Sequence, residues 1–266
     1  METAKLPVTA PAVSGTADLA KTIVYKAQHR FNLGDPETIN CLNGEVSLKN
    51  GMWELSEHNA EHFRTSQIPV HYNPRARAPR FELFLDEIYE GDADKLDKIA
   101  ATLELMGYTL MTHAKHEKFV LLKGTGSNGK SKILGTLEAL CGTDNISGVQ
   151  PSKFDSPFQR AHMQYKLANL VTELKQGEVL ADAELKAITS GEPATVEHKN
   201  KDPFVMRPYA TCWFGTNHLP HTRDFSEAFF RRAVVLDFNR VFGEQEKDSN
   251  LLDKLTAELS GILNLF

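Results

Sequence analysis

Lys118-Phe-Val-Leu-Leu122-Lys-Gly124-Thr-Gly-Ser-Asn-Gly129-Lys130-Ser131 is an apolar run that meets a glycine-rich loop. From Gly124 it fits Gly-x4-Gly-Lys-Ser/Thr. Ile133, Leu134, Leu137 and Leu140 then mark a helix that Gly142 closes. Strand, loop and helix in this order are what a phosphate-binding loop needs. Glycines let backbone N–H groups curl around phosphate oxygens where side chains would clash. The helix that follows points its N-terminus, with free donors and a positive dipole end, at the anion. The pattern therefore predicts a nucleotide site made by Gly124, Thr125, Gly126, Ser127, Asn128, Gly129, Lys130 and Ser131. Lys130 would reach the β- and γ-phosphates of ATP, and Ser131 would ligate Mg2+.

Further strand candidates lie downstream at Leu167–Thr172, Thr195–His198, Phe204–Arg207, Tyr209–Phe214 and Ala233–Phe238. Helical segments fall between several of them. This alternation predicts a three-layer α/β domain, a P-loop NTPase core. Upstream the rhythm differs. Asn43-Gly44 and Asn50-Gly51 separate three short apolar runs and predict a β-meander over residues 38–55. Phe81, Phe84, Leu85, Ile88 and Tyr89 follow helical spacing. Asp92 reads as the cap of another helix that Gly107 would end. Leu19, Ile23, Ala27 and Phe31 recur every four residues and predict a helix behind a flexible leader. The expected division is a leader over residues 1–15, a smaller α+β domain over 16–108 and the core over 109–266.

A phosphate loop needs an acid to complete the metal site and activate water, usually at the end of a neighbouring buried strand. Glu173 follows the apolar run Leu167-Ala-Asn-Leu-Val-Thr172 and meets that description, with an indirect role at the metal. Asn217 ends the run Tyr209-Ala-Thr-Cys-Trp-Phe-Gly-Thr216, where an amide can orient water or touch the γ-phosphate; alone it would read as a turn residue. Arg231 and Arg232 precede Ala233–Leu236. Arginine stabilises transition-state phosphate charge, and ring ATPases supply it from an adjacent subunit; the competing reading is a surface ion pair.

The net charge is −5, so nucleic-acid contact must be local or concentrated by assembly. The three cysteines, Cys41, Cys141 and Cys212, are far apart and read as reduced thiols. No apolar stretch is long enough to span a bilayer, and the N-terminus lacks a basic-then-apolar export pattern. A cytoplasmic place, without membrane contact, is expected. His58-Asn-Ala-Glu61-His62 has the spacing of some zinc proteases but sits between a hairpin and a proline loop, off any predicted helix.

These residues together resemble the superfamily-3 helicase region of phage and plasmid primase–helicases and their relatives in large DNA viruses. Ile39–Leu48 with Asn43-Gly44, then Ile68-Pro69 through Tyr72-Asn-Pro74-Arg-Ala76, resemble the poxvirus-type domain that precedes the helicase. Gly107-Tyr108-Thr-Leu110, Leu185-Lys186-Ala-Ile-Thr-Ser-Gly191-Glu192, Phe214-Gly-Thr-Asn217-His-Leu-Pro220 and Phe230-Arg231-Arg232 follow in the family's order. The resemblance implies an AAA+-related, hexameric ring that moves along single-stranded or forked DNA using ATP and Mg2+, in a bacterial host cell. It makes Gly124, Gly129, Lys130 and Ser131 the Walker A motif, Glu173 Walker B, Asn217 sensor 1, and Arg231 or Arg232 the arginine finger. It makes Thr195–Arg207 a pore hairpin whose His198, Lys199, Lys201 and Arg207 would meet DNA.

The chain departs from the family in three ways. Thr172 precedes a single acid where many members carry two. There is no room for a primase, so a separate one is an expected partner. The chain stops at Ser260-Gly-Ile-Leu-Asn264-Leu-Phe266, where relatives continue, and a shortened form is expected. The alternative readings are a P-loop ATPase that acts on protein or loads DNA, and a remnant that binds nucleotide without turnover.

Overall fold

The computed structural model describes residues 9–24 and 29–266. The chain divides into two compact units, Met1–Phe31 and Asn32–Phe266. The first holds helix α1, Ala10–Val24, which buries none of its residues. Thr9 Oγ1 accepts from Ala12 N–H at 3.3 Å, as an N-cap does. Lys21 pairs with Asp18 one turn back at 3.0 Å. The helix thus begins inside the stretch expected to be a leader, because its alanines favour helix and Pro11 falls in the tolerated first turn. It ends before Phe31; the expected helix over residues 25–28 lies outside the described residues.

The second unit opens with an antiparallel meander of β1 (Ile39–Cys41), β2 (Gly44–Lys49) and β3 (Met52–Ser56). Asn50 and Gly51 both have positive φ, 51° and 79°, as a two-residue hairpin turn requires. Glu45 is buried at the start of β2, where His62 Nδ1 at 2.8 Å and Arg64 Nη2 at 3.0 Å bind its carboxylate. Burial raises the Glu45 pKa, but hydrogen bonds from His62, the Asn59 N–H and Arg64 outweigh it and hold it below the usual value. His58 Nε2 lies 2.8 Å from the Cys41 carbonyl. The two histidines of the zinc-like spacing therefore serve different partners in the sheet's framework.

Helices α2 (Pro79–Ile88) and α3 (Lys95–Thr109) follow. The spacing that predicts α2 puts Phe81, Phe84, Leu85 and Ile88 in the core. Helix α3 starts after Asp94 and runs through Gly107, contrary to the sequence expectation at both ends. Asp92 is occupied instead by Lys98 at 2.7 Å and Asn239 at 2.8 Å. Gly107 is a helical position pressed against Phe266, whose Cβ lies 2.9 Å from where a Cβ on Gly107 would sit.

The rest is β4 (Phe119–Lys123), α4 (Lys130–Cys141), β5 (Ile146–Ser147), α5 (Pro157–Arg160), β6 (Ala168–Val171), α6 (Asp182–Thr189), β7 (Ala194–Val196), β8 (Phe204–Met206), β9 (Thr211–Thr216), α7 (Glu227–Phe230), β10 (Ala233–Asp237), α8 (Leu251–Thr256) and α9 (Leu259–Leu263). Five strands form one parallel sheet in the order β10-β4-β9-β6-β5, while β7 and β8 make a separate hairpin. Both faces of the sheet are covered, so its strands read as unbroken apolar runs. Val120 and Leu122 of β4 join one core, and Phe119 and Leu121 join the other. The expected fold class, a three-layer α/β P-loop core with α+β elements ahead of it, is the one observed.

The boundary expected near residue 108 does not fall at a gap in the packing. One core joins Ile39 and Val46 of the meander, α2, α3, α4, Trp213 of β9, and Ile262 of α9. Trp213 Nε1 donates to Thr109 Oγ1 at 2.9 Å in the interior. Glu258 reaches back to accept the N–H groups of Arg80 and Phe81, each at 3.0 Å, at the open start of α2. Gly261 is a tight joint between the two ends of this unit, since a Cβ there would lie 2.1 Å from the Arg77 carbonyl oxygen. Gly261→Ala is expected to destabilise the whole of Asn32–Phe266 by about 1–3 kcal/mol, the usual cost of overpacking. Urea denaturation should show one shifted cooperative transition; an unchanged main transition with separate melting of the C-terminal helices would contradict a single unit.

Candidate nucleotide site

The phosphate loop crosses the C-terminal end of the parallel sheet. Gly124 N–H donates to Thr216 O at 3.1 Å, and Phe238 N–H donates to Lys123 O at 2.7 Å, so β9 and β10 fix the loop's root. Gly126 and Gly129 have φ of 111° and 93°, which side-chain-bearing residues rarely adopt. A Cβ on Gly129 would lie 2.6 Å from Ile88 Cγ2, so α2 packs directly beneath the loop. A Cβ on Gly126 would meet nothing within 4 Å, so glycine is required there by φ rather than by crowding.

Residues Gly126–Lys132 line a cleft of about 1040 Å³. Glu173 and Asn217 line it too. Thr125 is exposed, whereas Gly124 lies under the loop against Asn128. Lys130 is buried, and its Nζ donates to Gly124 O at 2.5 Å, Asn128 Oδ1 at 3.1 Å and Asn217 Oδ1 at 3.4 Å. Burial pushes its pKa down and the Glu173 charge partly opposes this. Asn217 Nδ2 in turn donates to Glu173 Oε1 at 3.4 Å. Lys130, Asn217 and Glu173 thus form one polar line from loop to strand ends. The buried Asn128 Nδ2 has no hydrogen-bond partner and remains a donor in the loop.

These groups can bind and orient a polyphosphate. The loop N–H groups and Lys130 supply donors and charge, Asn217 supplies an amide, and the exposed Glu173 carboxylate can accept a proton. Exposed Ser131 lines the same cleft and offers a hydroxyl to Mg2+, an ion that retains water ligands and leans on substrate phosphate. Among the described residues, no cluster of three or more His, Cys, Asp or Glu side chains has metal-holding geometry.

Arg231 and Arg232 line no part of their own chain's cleft. They differ sharply in environment. Arg232 is buried; its guanidinium donates to Ala228 O at 2.5 Å and Ser190 Oγ at 2.9 Å and pairs with Glu117 at 2.7 Å. Arg231 has a side chain 62% exposed, with one contact to Glu117 at 3.6 Å. The hairpin of β7 and β8 presents His198, Lys199, Lys201 and Arg207 at the surface, with Glu197 and Asp202 among them. The cleft also contains residues that sequence reasoning missed, Leu83 on α2 and Arg240 and Phe242 after β10. Leu83 falls outside the apolar spacing that marks the core face of α2, and Arg240 and Phe242 stand in a stretch without motif spacing.

The three cysteines are buried, which raises their thiol pKa values, that of Cys41 to about 12. Among the described residues no helix is long and apolar enough to cross a membrane.

Residues 7–90 match the family described as "D5 N terminal like". Residues 122–232 match a "Family of unknown function (DUF5906)". In three dimensions the chain is similar to "The A form apo structure of NrS-1 C terminal region-CTR", with TM-score 0.59 and 14% identity over 94% of this chain and 58% of that one. A second structure of the same region gives TM-score 0.58 and 14% identity over 95% of this chain and 59% of that one. The chain therefore shares that region's fold and spans about three-fifths of its length.

The contrast between the two arginines is directly measurable. Arg232→Ala would leave the part-buried acceptors Ala228 O and Ser190 Oγ and the Glu117 carboxylate without their partner, and is expected to cost about 2–4 kcal/mol in denaturant unfolding. Arg231→Ala should stay within about 0.5 kcal/mol of the parent, as exposed substitutions do. Equal losses would overturn this assignment of one buried structural arginine and one exposed arginine.

Proposed function

We propose that this chain is the ATP-driven motor of a DNA-replication helicase. The observation that carries the reading is the line from Lys130 through Asn217 to Glu173 in the mouth of the phosphate-loop cleft. The D5-N-terminal-like match supports it, because it covers the segment whose sequence resembles the domain ahead of a primase–helicase motor.

In this reading the loop N–H groups and Lys130 hold the triphosphate of ATP, and Ser131, with Glu173 acting through water, holds Mg2+. Mg2+ when bound screens charge on the β- and γ-phosphates. Glu173 removes the proton of the attacking water, Asn217 orients that water, and the terminal phosphate leaves ADP. Arg231 is free to act on the nucleotide of a neighbouring subunit in a homo-oligomeric, hexameric ring, while Arg232 holds the segment in place. His198, Lys199, Lys201 and Arg207 contact single-stranded or forked DNA. A few basic residues on each copy suffice when copies surround the strand, which reconciles DNA contact with a net charge of −5. A separate primase completes the replication machinery, and the protein works in the cytoplasm of a bacterial host.

Lys130→Ala is expected to lose most ATP affinity in a calorimetric titration. Glu173→Gln should keep that affinity but hydrolyse ATP at least about 100-fold slower in single turnover, the scale of lost general-base help. Hydrolysis by the parent should rise with single-stranded DNA; a rise with polypeptide instead would favour a protein-directed ATPase. If the chain does not hydrolyse ATP under any of these conditions, the reading as a motor is wrong.

The trans role of Arg231 has its own test. Arg231→Ala should abolish turnover in rings while nucleotide binding survives. Mixing it with Lys130→Ala subunits should restore part of the activity, because some interfaces then pair an intact loop with an intact finger. A finger is worth on the order of 10³ or more in rate, so partial rescue is measurable. Normal turnover by Arg231→Ala in confirmed rings would return Arg231 to the ion-pair reading.

A further inference from the structure

The cleft is larger than its phosphate-binding end requires. A volume of about 1040 Å³ is at the upper end of what holds an entire small ligand. Beyond the loop, the wall changes character. Phe242 is half-buried and lines the cleft, and the Arg240 guanidinium lies over its ring, 4.4 Å from the centroid. That guanidinium is held on its edges by the Glu87 carbonyl at 3.0 Å, Glu90 at 3.1 Å and Glu246 at 2.7 Å. The stack is therefore ordered before any ligand arrives, which lowers the entropy cost of binding to it. It is also tied to the phosphate loop, since Phe242 N–H donates to Ser127 O at 2.8 Å. Its place relative to bound phosphate is thus fixed by one backbone hydrogen bond.

Leu83 supplies a second apolar surface. It lies on α2, whose other large apolar residues Phe81, Phe84, Leu85 and Ile88 are at most 1% exposed. Leu83 is 50% exposed and lines the same cleft. An aliphatic side chain, an aromatic ring and a planar guanidinium, all in reach of a phosphate loop, match the chemistry of a flat heteroaromatic base. An inorganic polyphosphate would use neither the aliphatic side chain nor the aromatic ring.

We infer that Arg240, Phe242 and Leu83 form the nucleobase subsite of this cleft, so that the ligand is a nucleoside triphosphate held at both ends. The inference rests on the phosphate-loop reading above and adds the base-binding residues to it. Both family matches stop short of Arg240 and Phe242, ending at residues 90 and 232.

The test compares two probes on the same protein in Mg2+, adenylyl-imidodiphosphate and inorganic tripolyphosphate, by calorimetric titration. The parent is expected to bind the nucleotide at least about tenfold more tightly than tripolyphosphate, within the range of one base stack. Phe242→Leu keeps an apolar side chain at a half-buried position but removes the π face; Leu83→Ala changes a half-exposed position and does not threaten folding. Each should weaken nucleotide binding about fivefold or more while tripolyphosphate affinity stays within about twofold. Equal affinity of the parent for the two probes overturns the subsite alone. So does loss of affinity for both probes in parallel, or no change in either variant. Failure of the parent to bind either probe overturns the phosphate-loop reading and this inference with it.

Discussion

The site depends on the height at which three parallel strands end. β4 lies between β9 and β10 in a register that pairs Lys123 with Thr216 on one side and with Asp237 on the other. The chain that leaves β4 must therefore turn across the tips of both neighbours, where its first N–H meets Thr216 O. At the next strand over, β9 and β6 are pressed together so closely that a Cβ on Gly215 would lie 2.2 Å from the Thr172 carbonyl oxygen. That approach brings Glu173 beside Asn217. Ligand sites outside the carboxyl ends of parallel strands are a property of open α/β sheets. Here the property reduces to a register and one glycine. A slip of one residue in β9 would turn Asn217 to the opposite face and break the line to Lys130.

The walls of the cleft come from sequence far from the loop. Helix α2 supplies the floor, because Ile88 and Phe84 occupy the space beneath Gly129. The segment after β10 supplies another wall through Arg240 and Phe242, and Arg240 spans to Glu87 and Glu90. Glu258 then neutralises the start of α2 from the C-terminal side. The stretch that matches a family of its own is thus built into the wall of the cleft at the glycine-rich loop of the following core. Helix α2 must move with the loop or obstruct it, since close-packed interiors transmit displacement rather than absorb it.

How much of this is legible in the sequence follows from range. The phosphate loop is local, and its glycines announce their conformation. The buried parallel strands are continuous apolar runs, the meander is set by Asn-Gly turns, and α2 shows its core face by spacing. Strand β5 is two residues long and carries no period, so nothing in the sequence marks it. Gly107 looks like a helix stop because a sequence does not reveal Phe266 lying against it. Arg231 and Arg232 are equivalent on paper. Helix α7 ends just before them, and its direction sends one side chain inward to Ala228, Ser190 and Glu117 and leaves the other outside. Arg240 and Phe242 are two residues in a polar loop, and only the fold brings them to the cleft.

Arg232 also determines what Arg231 is attached to. Ser190, which accepts from Arg232, caps the C-terminal end of α6, and the chain runs from there through Gly191 into β7. A Cβ on Gly191 would lie 3.3 Å from the Pro208 carbonyl oxygen, just beyond β8. Met206, at the root of the hairpin, and Val196, at the turn end of β7, share a core with Phe229 of α7, Ile188 of α6 and Phe119 and Phe214 of the main sheet. The exposed arginine and the base of the basic hairpin are therefore parts of one packed body, joined by a buried guanidinium. In the proposed motor, a neighbour's phosphate held by Arg231 and a DNA strand held by Lys199 and Lys201 would pull on the same piece of protein. In that proposal the shared piece would link the two contacts without a longer path through the fold.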